Sequence, residues 1–259
     1  MSKDSWNPQQ YDKFKSERSQ PFFDLIDLLR PVSQPTVIDL GCGTGELTME
    51  LNKLCGAQST LGLDNSEEML KKAEALCAPG LKFEKGDISE WKNPKAFDIV
   101  FSNAAIQWCP DHPGIFERIR DSLRPGGQLA VQMPMNHDYP THTLAAEMSE
   151  ESQWLKLLQG SSYKQHKRMM SADEYASLLY KLGFKEQKVY VNVYGHILES
   201  REGVIEWVKG TLLTFFKSRL SESDYQKFIK EFRERLFERL PDEKPLFYPF
   251  KRIFIWGRL

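Results

Sequence analysis

The chain has 259 residues, 41% of them hydrophobic and 27% charged, and its 35 basic residues balance 36 acidic ones to a net charge of −1. Near-neutrality gives no bulk attraction for nucleic acid, the hydrophobic content is that of an ordinary soluble globular protein, and no apolar run approaches the roughly 18 residues that span a bilayer. The opening "MSKDSWNPQQYDKF" lacks the apolar core of a secretory signal, so a cytoplasmic monomer without nucleic-acid or membrane partners is expected.

In chain order, "TVIDL" (36–40) reads as a buried strand, followed by a helix pattern from Glu46 to about Leu54 and a second strand, "STLGLD" (59–64). Asn65 or Ser66 caps the next helix, whose apolar Met69, Ala73, Leu76 and Cys77 recur at helical spacing; Glu68 stands where a capping box from Asn65 would place it. "LKFEKGD" (81–87) and "FDIVFSN" (97–103) are the third and fourth strands. A helix opens near Asp111 with Pro113 in its first turn and stops before "RPGG" (124–127), after which "QLAVQMP" (128–134) is the fifth strand. Residues 135–170 carry no strand pattern. Ser171 and Glu174 form an S-x-x-E box that opens a helix ending at Gly183. "EQKVYVNVYGHIL" (186–198) alternates as a strand with one exposed face. A helical block then runs from about Arg201 to Leu240 with a restart at Ser221, and "FKRIFIWGR" (250–258) closes the chain as a strand. Strands separated by helical patterns imply right-handed crossovers and a parallel sheet covered on both faces. The expected fold is therefore α/β, a doubly wound, seven-stranded, mostly parallel sheet with an antiparallel edge hairpin. A single domain spans 1–259, with insertions at about 135–170 and 201–245 forming a helical lid that closes on a ligand. The four cysteines, Cys42, Cys55, Cys77 and Cys109, form no C-x-x-C pair, which speaks against a disulfide framework and against a metal site.

Gly41, Gly43 and Gly45 follow the first strand, where they let the backbone turn tightly and approach a ligand. A dinucleotide fingerprint would place its third glycine at position 46, but that residue is Glu46. An acidic first turn faces a pyrophosphate unfavourably, and Asp39 adds negative charge just before the turn, which suits a cationic ligand. Asp64, at the end of the second strand, is placed to accept from both hydroxyls of a ribose. Asn65 follows it in the same ligand stretch. At the end of the third strand, Asp87 can accept from an adenine amino group and Ile88 can cover the ring. "VIDLGCGTG", "LGLD", "GDI" and "LRPGG", in this order and spacing, resemble the class I S-adenosyl-L-methionine (SAM)-dependent methyltransferases. The resemblance implies a Rossmann-like methyltransferase fold, with SAM as cofactor and S-adenosyl-L-homocysteine as product. Asn103 would hold the amino-acid end of SAM, a turn-forming asparagine being the structural alternative.

"SWNP" with Tyr11 and Phe14, "ERSQP" (17–21), "SNAAIQWCPDH" (102–112), "VQMPMN" with "PTH" (140–142), "EWV" (206–208) and "FKRIF" (250–254) extend the resemblance to the trans-aconitate methyltransferase family. That implies methyl transfer to a carboxylate of a small organic acid, forming an ester. A carboxylate is ionised at neutral pH, so no general base is required and no catalytic side chain is assigned. Substrate-binding candidates are Gln107 and Trp108 after the fourth strand, Tyr11 and Arg18 on the N-terminal segment, His142 and Arg252. Each has a structural alternative: a packed tryptophan, an amphipathic helix docked on the sheet, a packed histidine, an edge-strand charge. His112 reads as a helix-start residue. "KQHKR" (164–168) reads as a solvated loop, with steering of anions as its functional alternative. The chain departs from the family pattern at Thr214 and Phe215, where "TGLRP" would place arginine and proline, and at Gln20, where a second arginine is expected. Loss of those clamps points to a less charged acid with more apolar bulk. The alternatives are a malonyl-thioester carboxyl methyltransferase, an NAD-dependent oxidoreductase and a non-catalytic SAM-binding module.

Overall fold

The computed structural model describes residues 15–163 and 169–259, with side chains from residue 20 onward. Tyr11, Phe14 and the 164–168 cluster lie outside the described residues, as does the side chain of Arg18.

Seven strands form one sheet in the order β3-β2-β1-β4-β5-β7-β6. β1 (Thr36–Leu40), β2 (Ser59–Asp64), β3 (Leu81–Lys85), β4 (Phe97–Asn103) and β5 (Leu123–Pro134) pair in parallel, and β7 (Leu246–Arg258) runs antiparallel to β5. β6 (Glu186–Leu198) completes the edge. Val37, Ile38 and Leu40 of β1 are each 0% exposed, the signature of a strand covered on both faces. α1 (Lys15–Ile26) precedes β1, and the crossovers carry α2 (Glu46–Leu54), α3 (Glu67–Ala73) and α4 (His112–Ser122). α1 docks through Phe22, whose ring meets Phe101 of β4 edge-on at 5.3 Å. α3 is capped by Ser66, whose hydroxyl accepts from the Met69 N–H, so the box expected between Asn65 and Glu68 does not form. Asp111 caps α4 through the Gly114 N–H, which fixes His112 as its first residue. α7 (Ala172–Lys181) starts at the complete Ser171–Glu174 capping box.

Three strand boundaries differ from the sequence expectation. β3 ends at Lys85, before the Gly86-Asp87 pair that the sequence reading included. β5 begins at Leu123, paired with Phe97, and its register shifts before Gln128 pairs with Ile99. "RPGG" is thus a bulge inside the strand, with Gly126 at φ 78 supplying the irregularity. β7 begins at Leu246 rather than at residue 250.

The chain divides into two compact units. Arg18–Pro134, Arg168–Asn192 and Arg252–Leu259 make the sheet unit; Met135–Lys167 and Val193–Lys251 make a second, helical one. The helical unit contains α5 (Pro140–Glu150), α6 (Ser152–Leu157), α8 (Arg201–Lys209), α9 (Thr214–Lys217) and α10 (Glu222–Arg239). Its core is aromatic: Phe228 stacks on Phe216 at 4.0 Å and meets Trp154 edge-on at 5.0 Å. Ion pairs tie α10 to its neighbours, the most complete being Arg239, which donates through both terminal nitrogens to Glu147 at 3.0 and 2.6 Å. No helix among the described residues is long and apolar enough to cross a membrane.

Candidate cofactor site and its surroundings

The sheet unit builds its site at the C-terminal ends of β1, β2 and β4, where open parallel sheets place their ligands. Gly41, Gly43 and Gly45 have φ of 83, 56 and 79, the left-handed region that glycine enters without a Cβ penalty. The turn is pinned to β2, since the Gly41 and Cys42 N–H groups both donate to the Leu63 carbonyl, at 2.7 and 3.1 Å. A Cβ on Gly41 would lie 2.1 Å from the Ala105 Cβ, and one on Gly45 2.7 Å from the Phe83 ring. Gly45 is also the N-cap of α2 and offers no side chain to the first N–H groups of that helix.

Asp64 holds the turn from the next strand. One carboxylate oxygen accepts from the Gly43 N–H at 2.8 Å and the other from the Ser66 N–H at 2.9 Å. Each oxygen retains a lone pair for a ribose hydroxyl. Asn65 beside it is exposed. Ile88 reaches the turn, with Cδ1 3.6 Å from where a Gly41 Cβ would stand. Asp87 is exposed and closes a local turn by accepting from the Ser89 N–H at 2.7 Å. This cradle fits SAM: glycine backbone against the amino-acid end, carboxylates at two strand ends and an apolar cover.

Asp39 is 4% exposed and accepts from the Thr48 hydroxyl at 2.6 Å. Burial pushes its carboxyl up to about 7, against the lowering effect of Thr48, and the charge of Asp64 adds to the rise. Thr48 escaped the sequence reading; its signal is a hydroxyl one turn into an otherwise apolar helix face. The ordinary carboxyl titrates near 4, so the folded chain holds this proton between about 4 and 7 while the unfolded chain has lost it. Stability from Asp39 is therefore full below pH 4 and is lost as pH rises through 7. His142 acts in the opposite sense, its imidazole pushed down to about 4 by burial and by the charge of His137, against Asp138. Its contribution is present above the usual histidine range and lost as pH falls towards 4. The Asp39 slope is accordingly read as a difference. Urea unfolding of Asp39→Asn against the parent is expected to show the parent losing stability relative to the variant between pH 4 and 7, by an amount on the order of a few kcal/mol. A difference that stays constant with pH contradicts the assignment.

Cys42, in the turn, has its thiol pushed well above the usual range by burial and by Asp39 and Asp64, so it is no nucleophile at neutral pH. His112 is 1% exposed and its Nδ1 is in a hydrogen bond with the Tyr175 hydroxyl, a packing role at the start of α4.

At the end of β4, Asn103 and Gln107 flank a tight turn, and Trp108 ends a 3-10 segment, Ile106–Trp108, with 39% of its surface exposed. Arg252 is 5% exposed on β7, opposite Pro134, and donates to Gln132 at 3.4 Å. β7 lies inside the sheet between β5 and β6, so Arg252 is a buried charge and the edge-strand alternative is set aside.

The helical unit holds His142 on α5. Beside it is a cavity of about 350 Å³ lined by His137, Asp138, Thr143, Glu147 and Tyr163. Asp138 pairs with Lys251, Glu147 with Arg239, and His142 is neutral at pH 7. His142 thus offers a hydrogen bond, shared in part with Thr141 at 3.0 Å, and no positive charge. Phe215 packs edge-on against Tyr163 at 5.4 Å, and the Thr214 hydroxyl turns back to the Thr211 carbonyl. Among the described residues no group of His, Cys, Asp and Glu could hold a metal ion.

Fold and site together define a methyltransferase, and comparison with known proteins agrees. The family model described as "Methyltransferase domain" matches residues 32–190. Trans-aconitate 2-methyltransferase of Deinococcus radiodurans is 41% identical over 258 residues, covering 96% of each chain. The enzyme of the same name from Acidovorax ebreus is 35% identical, again over 96% of each. Among solved structures, a putative methyltransferase from Bacillus halodurans matches with a TM-score of 0.61 at 16% identity, over 92% of this chain and 98% of that one. Phosphoethanolamine N-methyltransferase 2 of Haemonchus contortus, solved with SAM, matches with 0.55 at 18%, over 92% and 52%. The chain belongs to the methyltransferase domain family and, within it, to the family of the trans-aconitate 2-methyltransferases. It is an enzyme, and its cofactor is SAM; the oxidoreductase and non-catalytic readings are not favoured by this membership.

Proposed function

We propose that the enzyme esterifies one carboxylate of a small polycarboxylic acid of the trans-aconitate kind. The observation that carries this is 41% identity, over 96% of both chains, with an enzyme of that name. SAM supplies an electrophilic methyl group and a neutral thioether as leaving group. The chain's own part is to bind, align and exclude water. The glycine turn and Asp64 fix the donor, and the acid arrives already ionised, so nothing need remove a proton. The inert Cys42 and the neutral His142 are consistent with a reaction that uses neither nucleophile nor base. No observation favours a malonyl thioester over the free acid.

The acid itself is shaped by the departures in α9. Thr214 spends its hydroxyl within its own turn, and Phe215 presents an aromatic face over which the Arg219 guanidinium lies at 4.1 Å. Neither the Thr214 nor the Phe215 side chain carries the positive charge that would hold a third carboxylate. The test is kcat/KM, with label from methyl-labelled SAM counted as base-labile ester, for trans-aconitate, for dicarboxylates with apolar tails and for a malonyl thioester. Thr214→Arg is expected to raise kcat/KM for trans-aconitate relative to the dicarboxylates by about tenfold, the worth of one charge-assisted contact. An unchanged ratio removes Thr214 from the substrate site; exclusive use of the thioester overturns the reading.

A further inference from the structure

Sheet order reverses between β1 and β4, and the two strands stop pairing one residue before β1 ends. Their register closes at Asp39 opposite Phe101. On their other sides both run on, β1 with β2 as far as Leu40 opposite Leu63, and β4 with β5 as far as Asn103 opposite Gln132. Where β1 and β4 part, the Leu40 carbonyl is met by a side chain. Ser102 of β4 is 0% exposed, and its hydroxyl donates to that carbonyl at 2.8 Å. A buried carbonyl that loses its ladder partner costs free energy, so the hydroxyl stands in for a backbone donor.

The peptide between Leu40 and Gly41 is thereby held from both sides. Its carbonyl is fixed by Ser102 of β4, and its N–H donates to the Leu63 carbonyl of β2 at 2.7 Å. A peptide group is planar, so hydrogen bonds at both of its ends leave it little freedom to tilt. From this plane the chain enters the left-handed region at Gly41, with φ 83. The turn after β4 has supports of its own: Ala104 stands at φ 55, and the Gln107 amide donates to its carbonyl at 2.6 Å. Loss of the Ser102 hydroxyl therefore falls on the glycine turn.

We propose that Ser102 is a positioning residue for the cofactor: its hydroxyl sets the tilt of the Leu40–Gly41 peptide and so the place of the glycine turn. The proposal rests on that turn being the cradle of SAM. Ser102 itself need not touch the ligand. Strands must part at the switch point of an open sheet to admit a ligand between their ends. The parting takes backbone donors out of reach of the Leu40 carbonyl, and a serine hydroxyl spans the gap without closing it.

The test compares Ser102→Ala, Ser102→Thr, Ser102→Cys and Ser122→Ala with the parent, by calorimetric titration with S-adenosyl-L-homocysteine and by urea unfolding. Ser122 is the control: it is 1% exposed, and its hydroxyl donates to the Ile119 carbonyl at 2.7 Å, at the end of α4 and outside the glycine turn. Ser102→Ala is expected to weaken cofactor binding by about tenfold, the effect of one hydrogen bond left unmade beside the cradle. Ser102→Thr keeps the hydroxyl and should bind within about threefold of the parent. Ser102→Cys, close to serine in size but a poor donor, should bind as weakly as the alanine variant, which keeps the test decisive if the threonine methyl is too large for the site. Ser122→Ala should lose comparable stability and bind as the parent does. A Ser102→Ala protein within about threefold of the parent, or an equal loss of affinity in Ser122→Ala, overturns the proposal, since the hydroxyl would then serve stability alone. Gly41→Ala, titrated alongside, isolates the premise: parent-like binding there removes the glycine turn from the cofactor site, and the proposal with it.

Discussion

Gly41→Ala is expected to reduce SAM affinity by more than about a hundredfold and to lower stability by about 3 kcal/mol. Two costs add. At φ 83 any side chain is strained, by about 1–2 kcal/mol. The new Cβ would also stand 2.1 Å from Ala105 Cβ, a distance no two carbons tolerate, so either the glycine turn or the turn after β4 must move. The first glycine is part of the proposed cofactor cradle, so its displacement is expected to be felt in binding. The two costs can be separated. Ala105→Gly added to Gly41→Ala removes the collision and leaves the strain, so roughly half of the lost stability should return. Gly43→Ala is the second control. Its Cβ meets no protein atom within 4 Å, so it should cost the strain alone, about 1–2 kcal/mol. Urea unfolding and titration with SAM read all four proteins. A Gly41→Ala protein that binds within about threefold of the parent would show that the first glycine is not part of the cradle.

Phe228→Ala should cost about 3–5 kcal/mol, as large aromatic truncations in a closed core do. Phe228 is fully buried and touches three aromatic partners, stacking on Phe216 at 4.0 Å, meeting Trp154 at 5.0 Å and lying parallel to Phe232 at 6.0 Å. It ties α10 to α9 and α6, so no neighbour can fill the void without moving a helix. Phe228→Leu, which keeps most of the volume, should cost about half as much. A loss below about 1 kcal/mol for the alanine variant would mean that the helical unit packs differently.

Much of the sheet was legible because buried parallel strands write themselves as short apolar runs and their helices begin at recognisable caps. β1, α2, β2 and β4 have the bounds the sequence suggested. β5 was misread at its start because Arg124-Pro125-Gly126-Gly127 carries the composition of a loop, and only the pairing of Leu123 with Phe97 shows the strand running through it. β7 was misread because Pro249 interrupts "LFYPF", and a proline inside a strand argues against that assignment. α5 was missed although its buried residues, Thr141, Leu144, Ala145, Met148 and Ser149, recur at helical spacing, because two of the five are polar; α6 buries only Trp154, too little for a period to show.

In the site, glycines and carboxylates announce themselves by type and spacing, and Asp64 is found bridging Gly43 and Ser66. What the sequence could not display is how those groups are supported. Thr48 under Asp39, Ala105 against Gly41 and the Gln107 amide folded onto Ala104 are long-range or conformational facts. No residue type marks a left-handed alanine. His142 shows the same limit, because its neutrality comes from burial and from His137, which spacing does not reveal.

The most direct test incubates the purified enzyme with methyl-labelled SAM and trans-aconitate and counts label in solvent-extractable, base-labile ester. Saturable, enzyme-dependent ester formation is the predicted result. With SAM bound in the same tube, an absence of ester from trans-aconitate and from every other small carboxylic acid offered would contradict the assignment of this enzyme as a carboxyl methyltransferase.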